Sequence, residues 1–266
     1  MINLGSMTSK NPKISAIIIT KNEENNIKEC LKSIKEIVDE IIIVDSYSTD
    51  RTIKIAEKYT KKIFLKKFED NFSKQRNFAL RQTQGEWILS IDADERLSLK
   101  LKKEIPKLIQ TSNFKGYLFS RKNYIDSQKW LRYGIFYPDW QLRLFKKGVK
   151  FKGTIHERLD LDEKYCQKIN LDIIHNASHT KYDKFSSIFR LKEFVKIQAK
   201  EIIKKEKNFL LFPFIGFFNS CKYFLDSFIF GKGFLDGWNG FRSALIFSLF
   251  VLKSYTYSFF LRIFRK

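Results

Sequence analysis

Between residues 14 and 110, short apolar segments rich in β-branched residues alternate with segments whose apolar residues recur at helical spacing. This alternation is typical of a parallel sheet covered by helices. Ile27, Cys30, Leu31 and Ile34, for example, form one buried helical stripe. We therefore predict an α/β fold. Its predicted strands are Ile14 to Thr20, Glu40 to Asp45, Lys62 to Leu65 and Glu86 to Asp92, and its further helices are Thr52 to Tyr59, Phe72 to Thr83 and Leu99 to Gln110 with Ser98 as N-cap.

The pattern changes after Gly116, where strand-like segments follow one another without helical connections. This change indicates a second half of the same domain, in which Lys147-Gly148 is predicted to be a hairpin turn. The predicted strands here are Tyr117 to Phe119, Gln141 to Phe145 and Val149 to Phe151. We expect a loose N-terminus at 1–13, a catalytic domain at 14–180 divided into halves 14–115 and 116–180, and an extension at 181–266.

The 266-residue chain carries 50 Lys and Arg against 29 Asp and Glu, a formal charge of +21 that predicts an anionic partner. Its three cysteines have no C-x-x-C spacing, which argues against a disulfide framework or a zinc site and favours a reducing cytosol. Residues 1–13 lack the apolar stretch of a secretory signal, so we expect a cytoplasmic protein.

The extension from Lys181 to Lys266 is both basic and aromatic, with 16 Lys or Arg, 6 Asp or Glu and 18 of the 27 phenylalanines. Its longest uncharged stretches, Asn208 to Cys221 and Ser243 to Leu252, are shorter than the roughly 20 apolar residues that span a bilayer. This composition favours helices that lie in the headgroup plane of an anionic membrane. Helices packed on the α/β body, with the aromatic residues as ordinary core, are the alternative.

Acidic and polar residues follow three of the predicted strands. Asp45 ends the second strand, Asp92 and Asp94 end the fourth, and Thr20 to Glu23 follow the first. Because ligands of parallel sheets bind beyond the carboxyl ends of the strands, we expect these residues to meet at one crevice. A divalent cation carrying a nucleotide diphosphate would neutralise such a cluster. For Asp45 alone, a turn-forming carboxylate that caps the next helix is the alternative.

Four segments follow one another in the first hundred residues: Ile17 to Glu23, Ile43 to Thr52, Gln75 to Asn77 and Asp92 to Asp94. Together and in this order they resemble the inverting GT-A glycosyltransferases of family 2. Two later segments, Tyr137 to Phe145 and Ile155 to Glu157, are similar to the bacterial lipopolysaccharide core glucosyltransferases of the WaaE/KdtX type. The resemblance implies a GT-A fold with a mainly parallel sheet flanked by helices, and a helical extension that associates with a membrane.

The resemblance also implies roles for individual residues. Asp94, with Asp92, would bind Mg²⁺ or Mn²⁺, and Asp92 would also face the ribose. Arg76 would approach the base or the diphosphate. The nucleotide sugar would in addition contact Thr20, Asn22, Glu23 and Asp45. Arg51 and Tyr47 stand where the family usually has glycine and a small residue, so the pocket shape is expected to differ.

Inverting transfer needs a carboxylate that deprotonates the acceptor hydroxyl. By resemblance this is Asp139, with Glu157 as the second candidate. Trp140 could stack on a sugar ring, and His156 with Glu157 could contact the metal or the acceptor. Arg143 and Arg158 could bind an acidic acceptor, with a solvated basic face as the default interpretation for either.

The resemblance therefore implies transfer of a hexose, glucose from a UDP-glucose donor, to a lipid-linked saccharide acceptor such as lipopolysaccharide core, at the inner face of the bacterial inner membrane. Transfer to a polyprenyl phosphate or another cell-surface polysaccharide is the alternative within this class. A nucleic-acid-binding protein is the alternative of another class, because the charge of +21 suits a phosphate backbone. It leaves the clustered carboxylates unexplained, so no nucleic acid is expected as a partner.

Overall fold

The computed structural model describes residues 13–110, 113–125, 128–154, 157–176, 186–205 and 208–264, with 186–193 described by their backbone only. The strands are β1 (Ile14–Thr20), β2 (Glu40–Asp45), β3 (Ile63–Leu65), β4 (Trp87–Ser90), β5 (Glu95–Leu97), β6 (Gly116–Tyr124), β7 (Trp130–Leu131), β8 (Asp139–Lys146), β9 (Phe151–Lys152), β10 (Arg158–Leu159) and β11 (Cys166–Asn176). The helices are α1 (Ile27–Ile34), α2 (Thr52–Ala56), α3 (Phe72–Arg81), α4 (Leu99–Gln110), α5 (Ser186–Lys205), α6 (Phe212–Phe224) and α7 (Gly237–Ile263).

One mixed sheet organises the part of the chain that is predicted to be catalytic, called here the catalytic part, with the strand order β3-β2-β1-β4-β8-β6-β11-β5 and β7 paired with β6. The strands β3, β2, β1 and β4 run parallel, while β8 is antiparallel to both of its neighbours, β4 and β6. In this register Thr20 lies level with Asp45, and Ile17 lies level with Ser90. The carboxyl ends of β1, β2 and β4 therefore meet at one edge, as the sequence predicts.

Helices cover both faces of the sheet. On one face α1, α2 and α4 bury a large apolar cluster that includes Leu31 and Leu101. On the other face α3 packs its Ala79 against Ile42 and Ile88. Removing a fully buried side chain such as Leu31 by substitution with alanine would cost about 2–5 kcal/mol of stability.

The predicted hairpin at Lys147-Gly148 is wrong, although the chain does turn there with Gly148 at φ 110°. Both edges of β8 are already hydrogen-bonded, to β4 and β6, so β9 has no free edge of β8 with which to pair. It pairs instead with β10 in a separate two-stranded sheet. Asn77 attaches this small sheet to α3, because its side chain donates to the carbonyl of Phe151 and accepts from the amide of Phe151, both at 2.8 Å.

The C-terminal helices pack on one another and on the catalytic part. Ser220 donates to the carbonyl of Ser248 at 2.8 Å, which joins α6 to α7, and Ser258 donates to the carbonyl of Ala199 at 3.3 Å, which joins α7 to α5. One helical segment, Gly233–Ile263, is long and apolar enough to cross a membrane by length and composition alone, and 22% of its most apolar window is buried. The sequence analysis missed this segment because it counted only uninterrupted uncharged stretches.

Candidate active site

A cavity of about 630 Å³ opens where β1, β2 and β4 end. Its polar lining comes from the loops after these strands, from α3, from the residue before β10 and from the end of β11. The residues concerned are Thr20, Lys21, Asn22, Glu23, Ser46, Gln75, Arg76, Asp92, Asp94, Glu157 and His175. The structure thus brings together most of the residues predicted to bind the nucleotide sugar.

Two loops at this edge are tied to one another. The side-chain oxygen of Asn22, which has a φ of 54°, accepts from the amide of Thr49 at 2.8 Å, and the amide of Glu23 donates to Oγ1 of Thr52 at 2.7 Å. A left-handed backbone is unusual for a residue other than glycine, and asparagine is one of the residues that tolerate it best. These hydrogen bonds fix the positions of Asn22 and Glu23, which line the cavity.

Asp45 is completely buried and does not belong to the cavity lining. Its carboxylate accepts from the amide and the hydroxyl of Ser48, at 2.7 and 2.6 Å, so it closes the turn after β2. Asp50, rather than Asp45, accepts from the first amide of α2 at Thr52, at 2.9 Å. Asp45 therefore forms the turn, as the alternative states, but it does not cap the next helix, and its contact with the nucleotide stays a prediction.

Two buried polar atoms of the lining, Oγ1 of Thr20 and Oε1 of Gln75, have no hydrogen-bond partner among the residues that the structure describes. The amide nitrogen of Gln75 is fixed by Ser46 and by the carbonyl of Lys66, at 3.1 and 2.9 Å. Burying a polar atom without a partner costs about 1–3 kcal/mol, and a bound ligand with a hydrogen-bond donor would remove that cost. The sequence analysis quoted Gln75 within a family segment but gave it no role.

Asp92 lies between two arginines. It accepts from Nη2 of Arg76 and from Nη2 of Arg143, each at 2.6 Å. Arg76 also donates from Nε to Glu157 at 2.7 Å and from Nη1 to Ser90 at 3.0 Å. Burial alone would raise the pKa of Asp92, but the charges of Arg143 and Arg76 outweigh it and hold that pKa far below the usual range. Asp92 is therefore ionised, and its charge is compensated within the protein.

The ion pairs continue towards Asp139. Nη2 of Arg143 also donates to Glu95 at 2.6 Å, Glu95 accepts from Nη1 of Arg121 at 3.1 Å, and Nη2 of Arg121 lies 2.6 Å from Asp139. Burial would lower the pKa of Arg143, whereas Asp92 and Glu95 raise it well above its ordinary value. The resulting chain of alternating charges, called here the ion-pair chain, runs Glu157, Arg76, Asp92, Arg143, Glu95, Arg121, Asp139.

This arrangement contradicts the default interpretation of Arg143, which is only 7% exposed and therefore not a solvated basic residue. Its Nη2 donates to two carboxylates, it lines a second cavity, and its contact with an acceptor stays a prediction. Arg76 does line the cavity, as predicted, but its guanidinium holds Asp92 and Glu157 in position. Arg158 is exposed, in agreement with the default interpretation.

Asp94 lies beside a histidine to which the sequence analysis gave no role. Nε2 of His175 is 3.4 Å from Oδ2 of Asp94, and the other ring nitrogen is 2.8 Å from the side-chain oxygen of Asn123. Asn123 in turn donates to Asp139 at 3.3 Å. His175 lies near the end of a strand, as the acidic residues do, and this position could have indicated that it belongs to the site. The pairing of β11 with β6, which brings that strand end to the cavity, could not be predicted from the sequence.

The donors of Asp94 and His175 fit a divalent cation, since carboxylate oxygen and imidazole nitrogen are both ligands of Mn²⁺ and related ions. Within the described ranges no group of three or more His, Cys, Asp or Glu side chains is arranged to hold a metal ion. A cation held here would therefore take its remaining ligands from a bound substrate or from water.

A second cavity of about 750 Å³ adjoins the first, and Arg76, Asp92 and Glu157 line both. Trp140, a predicted sugar-stacking residue, lines this second cavity with its ring 5.7 Å from Nζ of Lys168. Asp139 belongs to neither lining; besides Arg121 and Asn123 it binds Nε2 of Gln141 at 2.6 Å. His156 lies outside the described residues.

Comparison with known proteins identifies the family. The model of glycosyl transferase family 2 matches residues 15–162, which contain the ends of β1, β2 and β4 and the entire ion-pair chain. The chain belongs to glycosyl transferase family 2. This confirms the family resemblance and the GT-A-like fold.

Among the relatives of this family 2 protein, an uncharacterised glycosyltransferase of Rickettsia typhi is 32% identical over 247 residues, covering 89% of this chain and 83% of its own. The glycosyltransferase SunS from the SPbeta prophage of Bacillus subtilis is 33% identical over 180 residues, covering 65% of this chain and 42% of its own. The crystal structure of Staphylococcus aureus TarS 1–349 aligns with 92% of this chain and 91% of its own, at 16% identity and a TM-score of 0.46. With a TM-score of 0.46, the substrates of TarS cannot be assigned to this protein.

Proposed function

We propose that this protein is a metal-dependent inverting glycosyltransferase that moves a hexose, glucose from UDP-glucose, to a lipid-linked saccharide such as lipopolysaccharide core. The observation that carries the proposal is the composition of the first cavity. It places Asp94 beside His175 and includes two buried polar atoms, on Thr20 and Gln75, that have no hydrogen-bond partner among the described residues. A nucleotide diphosphate bound through a cation would use both features.

On the donor side, Asp94 and His175 would hold Mg²⁺ or Mn²⁺. The cation, when bound, neutralises the negative charge that develops on the departing diphosphate. Thr20 and Gln75 would accept hydrogen bonds from the nucleoside. Because Arg76 and Arg143 compensate the charge of Asp92, that carboxylate does not repel the diphosphate as an unpaired one would.

On the acceptor side, Asp139 would act as the general base. The acceptor oxygen forms its bond to the anomeric carbon as the bond to the diphosphate breaks on the opposite face, and the hydroxyl proton passes to the carboxylate. Asn123 hydrogen-bonds to both Asp139 and His175, so one amide side chain fixes the base relative to the cation ligand. Such fixed positions supply the orientation that bimolecular transfer requires.

The C-terminal helices support a lipid-linked acceptor. Half of the exposed large apolar side chains of the described residues lie between 210 and 238, which would place the enzyme on the cytoplasmic face of a bacterial inner membrane. The same feature suits transfer to a polyprenyl phosphate or to another cell-surface polysaccharide, which is therefore the second candidate.

A donor screen tests this function. UDP-, GDP- and dTDP-sugars are incubated with the full chain and Mn²⁺, and release of nucleoside diphosphate is measured with and without EDTA. We expect the fastest release from UDP-glucose, and loss of that release with EDTA. Salt-sensitive binding of nucleic acid, together with no binding of any sugar nucleotide, would contradict the proposal.

A further inference from the structure

The interior of the C-terminal helices is built from small residues. In residues 208–264 the buried positions are Phe212, three glycines, one alanine and six serines. In soluble proteins, large apolar side chains are the residues most often buried in such contacts. Helices that pack against each other within lipid instead use glycine, alanine and serine at their contacts, since their large apolar residues face the acyl chains.

The large apolar residues of this region accordingly face outwards. Eleven of the 22 exposed large hydrophobic side chains of the described chain fall within residues 210–238, called here the apolar surface. On α6 the exposed Phe214 and Phe218 follow a helical stripe opposite the buried Gly216 and Ser220. An exposed apolar surface of this extent indicates a partner.

The charges next to the apolar surface indicate an anionic partner. Lys232 is exposed, and Lys222 is exposed as well but pairs with Asp226 at 2.5 Å, so the positive charge comes mainly from the extension as a whole, which carries ten more basic than acidic residues. Trp238, which is 71% exposed, has the amphipathic ring typical of the boundary between acyl chains and headgroups. Aromatic rings flanked by lysines suit acidic phospholipids.

The contacts of α7 decide between lying on a bilayer and crossing it. Ser258 binds the carbonyl of Ala199 on α5, and Phe247 packs against Phe136 with 5.5 Å between ring centres, so α7 lies along the catalytic part. Lys253 is exposed near the middle of α7. A crossing helix would break these contacts and bring that ammonium group into the hydrocarbon.

The apolar surface also contacts the segment that leads to Asp139. The carbonyl of Gly231 accepts from the amide of Gly134 at 2.6 Å, and Oδ2 of Asp236 accepts from the amides of Arg132 and Tyr133 at 2.8 and 3.0 Å. Tyr133 and Ile135 are themselves exposed. A membrane that contacts the apolar surface would therefore also lie beside the segment that precedes Asp139 in the chain.

From these observations we infer that the apolar surface, continued by Tyr133 and Ile135, inserts into the interface of an anionic bilayer without crossing it. This docking holds Asp139 at the membrane, where a lipid-linked acceptor presents its hydroxyl. The last point rests on the proposed function, but the insertion itself does not.

Vesicle sedimentation tests the insertion, with the full chain and vesicles of phosphatidylethanolamine and phosphatidylglycerol. The triple variant Phe214→Ser, Phe218→Ser, Phe230→Ser should lower the partition coefficient at least about tenfold, because three exposed rings are lost. The matched control Leu65→Ser, Leu99→Ser changes exposed leucines outside the apolar surface and should bind as the wild type does. Equal binding of the triple variant and the wild type would overturn the inference.

Two further measurements keep the test decisive if the triple variant fails to fold. In the otherwise unchanged protein, brominated lipids should quench a part of the tryptophan emission that disappears in Trp238→Phe; no quenching would overturn the inference. Light scattering without vesicles should show a monomer. Self-association through the apolar surface together with no vesicle binding would instead assign that surface to a second copy of the chain and overturn the inference.

UDP binding measured on the same samples separates the two proposals. Vesicle binding without UDP binding would support the insertion and contradict the proposed function.

Discussion

Nη2 of Arg143 lies 2.6 Å from Oδ2 of Asp92, and this contact joins β8 to the residues that follow β4. It helps to keep the first carboxylate of the Asp92-Ala93-Asp94 segment ionised at a half-buried position. Asp94, two residues further on, is left to face the cavity beside His175. The two carboxylates of this segment thus have different surroundings: Asp92 belongs to the ion-pair chain, and Asp94 lies beside His175 in the cavity lining.

Replacing Arg143 with methionine should destabilise the protein by about 3–5 kcal/mol, since the change leaves the buried Glu95 and the half-buried Asp92 with fewer compensating charges. The free energy of unfolding, measured with urea, checks this. Arg158→Met is the matched control, because Arg158 is exposed, and should lie within about 0.5 kcal/mol of the wild type. Similar values for both variants would show that the contact contributes little.

Replacing Asp94 with asparagine should lower transfer at least about a hundredfold, because a bound cation contributes several kcal/mol to the transition state. Calorimetric titration with Mn²⁺ in the presence of UDP should show weakened binding, with an unchanged circular dichroism spectrum. Asp160→Asn alters an exposed carboxylate of an ion pair with Lys152 and serves as the control. Full activity of Asp94→Asn would eliminate this residue as a cation ligand.

Asp139→Asn should reduce transfer to the acceptor by about 10²–10⁴-fold while UDP binding is retained, since the amide cannot take up the hydroxyl proton. Glu157→Gln separates the two candidate bases. Glu157 accepts from Arg76 at 2.7 Å, so its loss should alter donor KM more than kcat. If Glu157→Gln lowered kcat by this factor while Asp139→Asn altered mainly the donor KM, Glu157 would be the base.

The three free cysteines should differ in their reaction with Ellman's reagent at pH 8. Burial, reinforced by the nearby carboxylates Glu95, Asp94 and Asp92, raises the pKa of the Cys30 thiol well above its ordinary value, so little reactive thiolate forms. Exposed Cys221 should react first, half-buried Cys166 more slowly, and Cys30 only after unfolding. A Cys221→Ser variant should lose the fastest phase; reaction of Cys30 in the native protein would contradict its burial beneath the carboxylates.

The sequence predicts the parallel part of the fold well, since β1, β2 and α4 begin and end at the predicted residues. Apolar segments bounded by polar residues determine these limits locally. The ion-pair chain could not be predicted, because Arg76, Glu95 and Arg143 are far apart in sequence and meet only through the strand order β4-β8-β6. For the same reason the sequence identified Asp94 but not its neighbour His175.

The position of β8 also constrains how the gene for this enzyme could be divided. The strand inserts between β4 and β6, while β5, which belongs to the first half of the sequence, closes the far edge of the sheet beside β11. A fragment that stops at residue 115 would expose the backbone of β4 as an unpaired edge, which favours aggregation. Split versions should therefore regain activity only when both pieces are synthesised together.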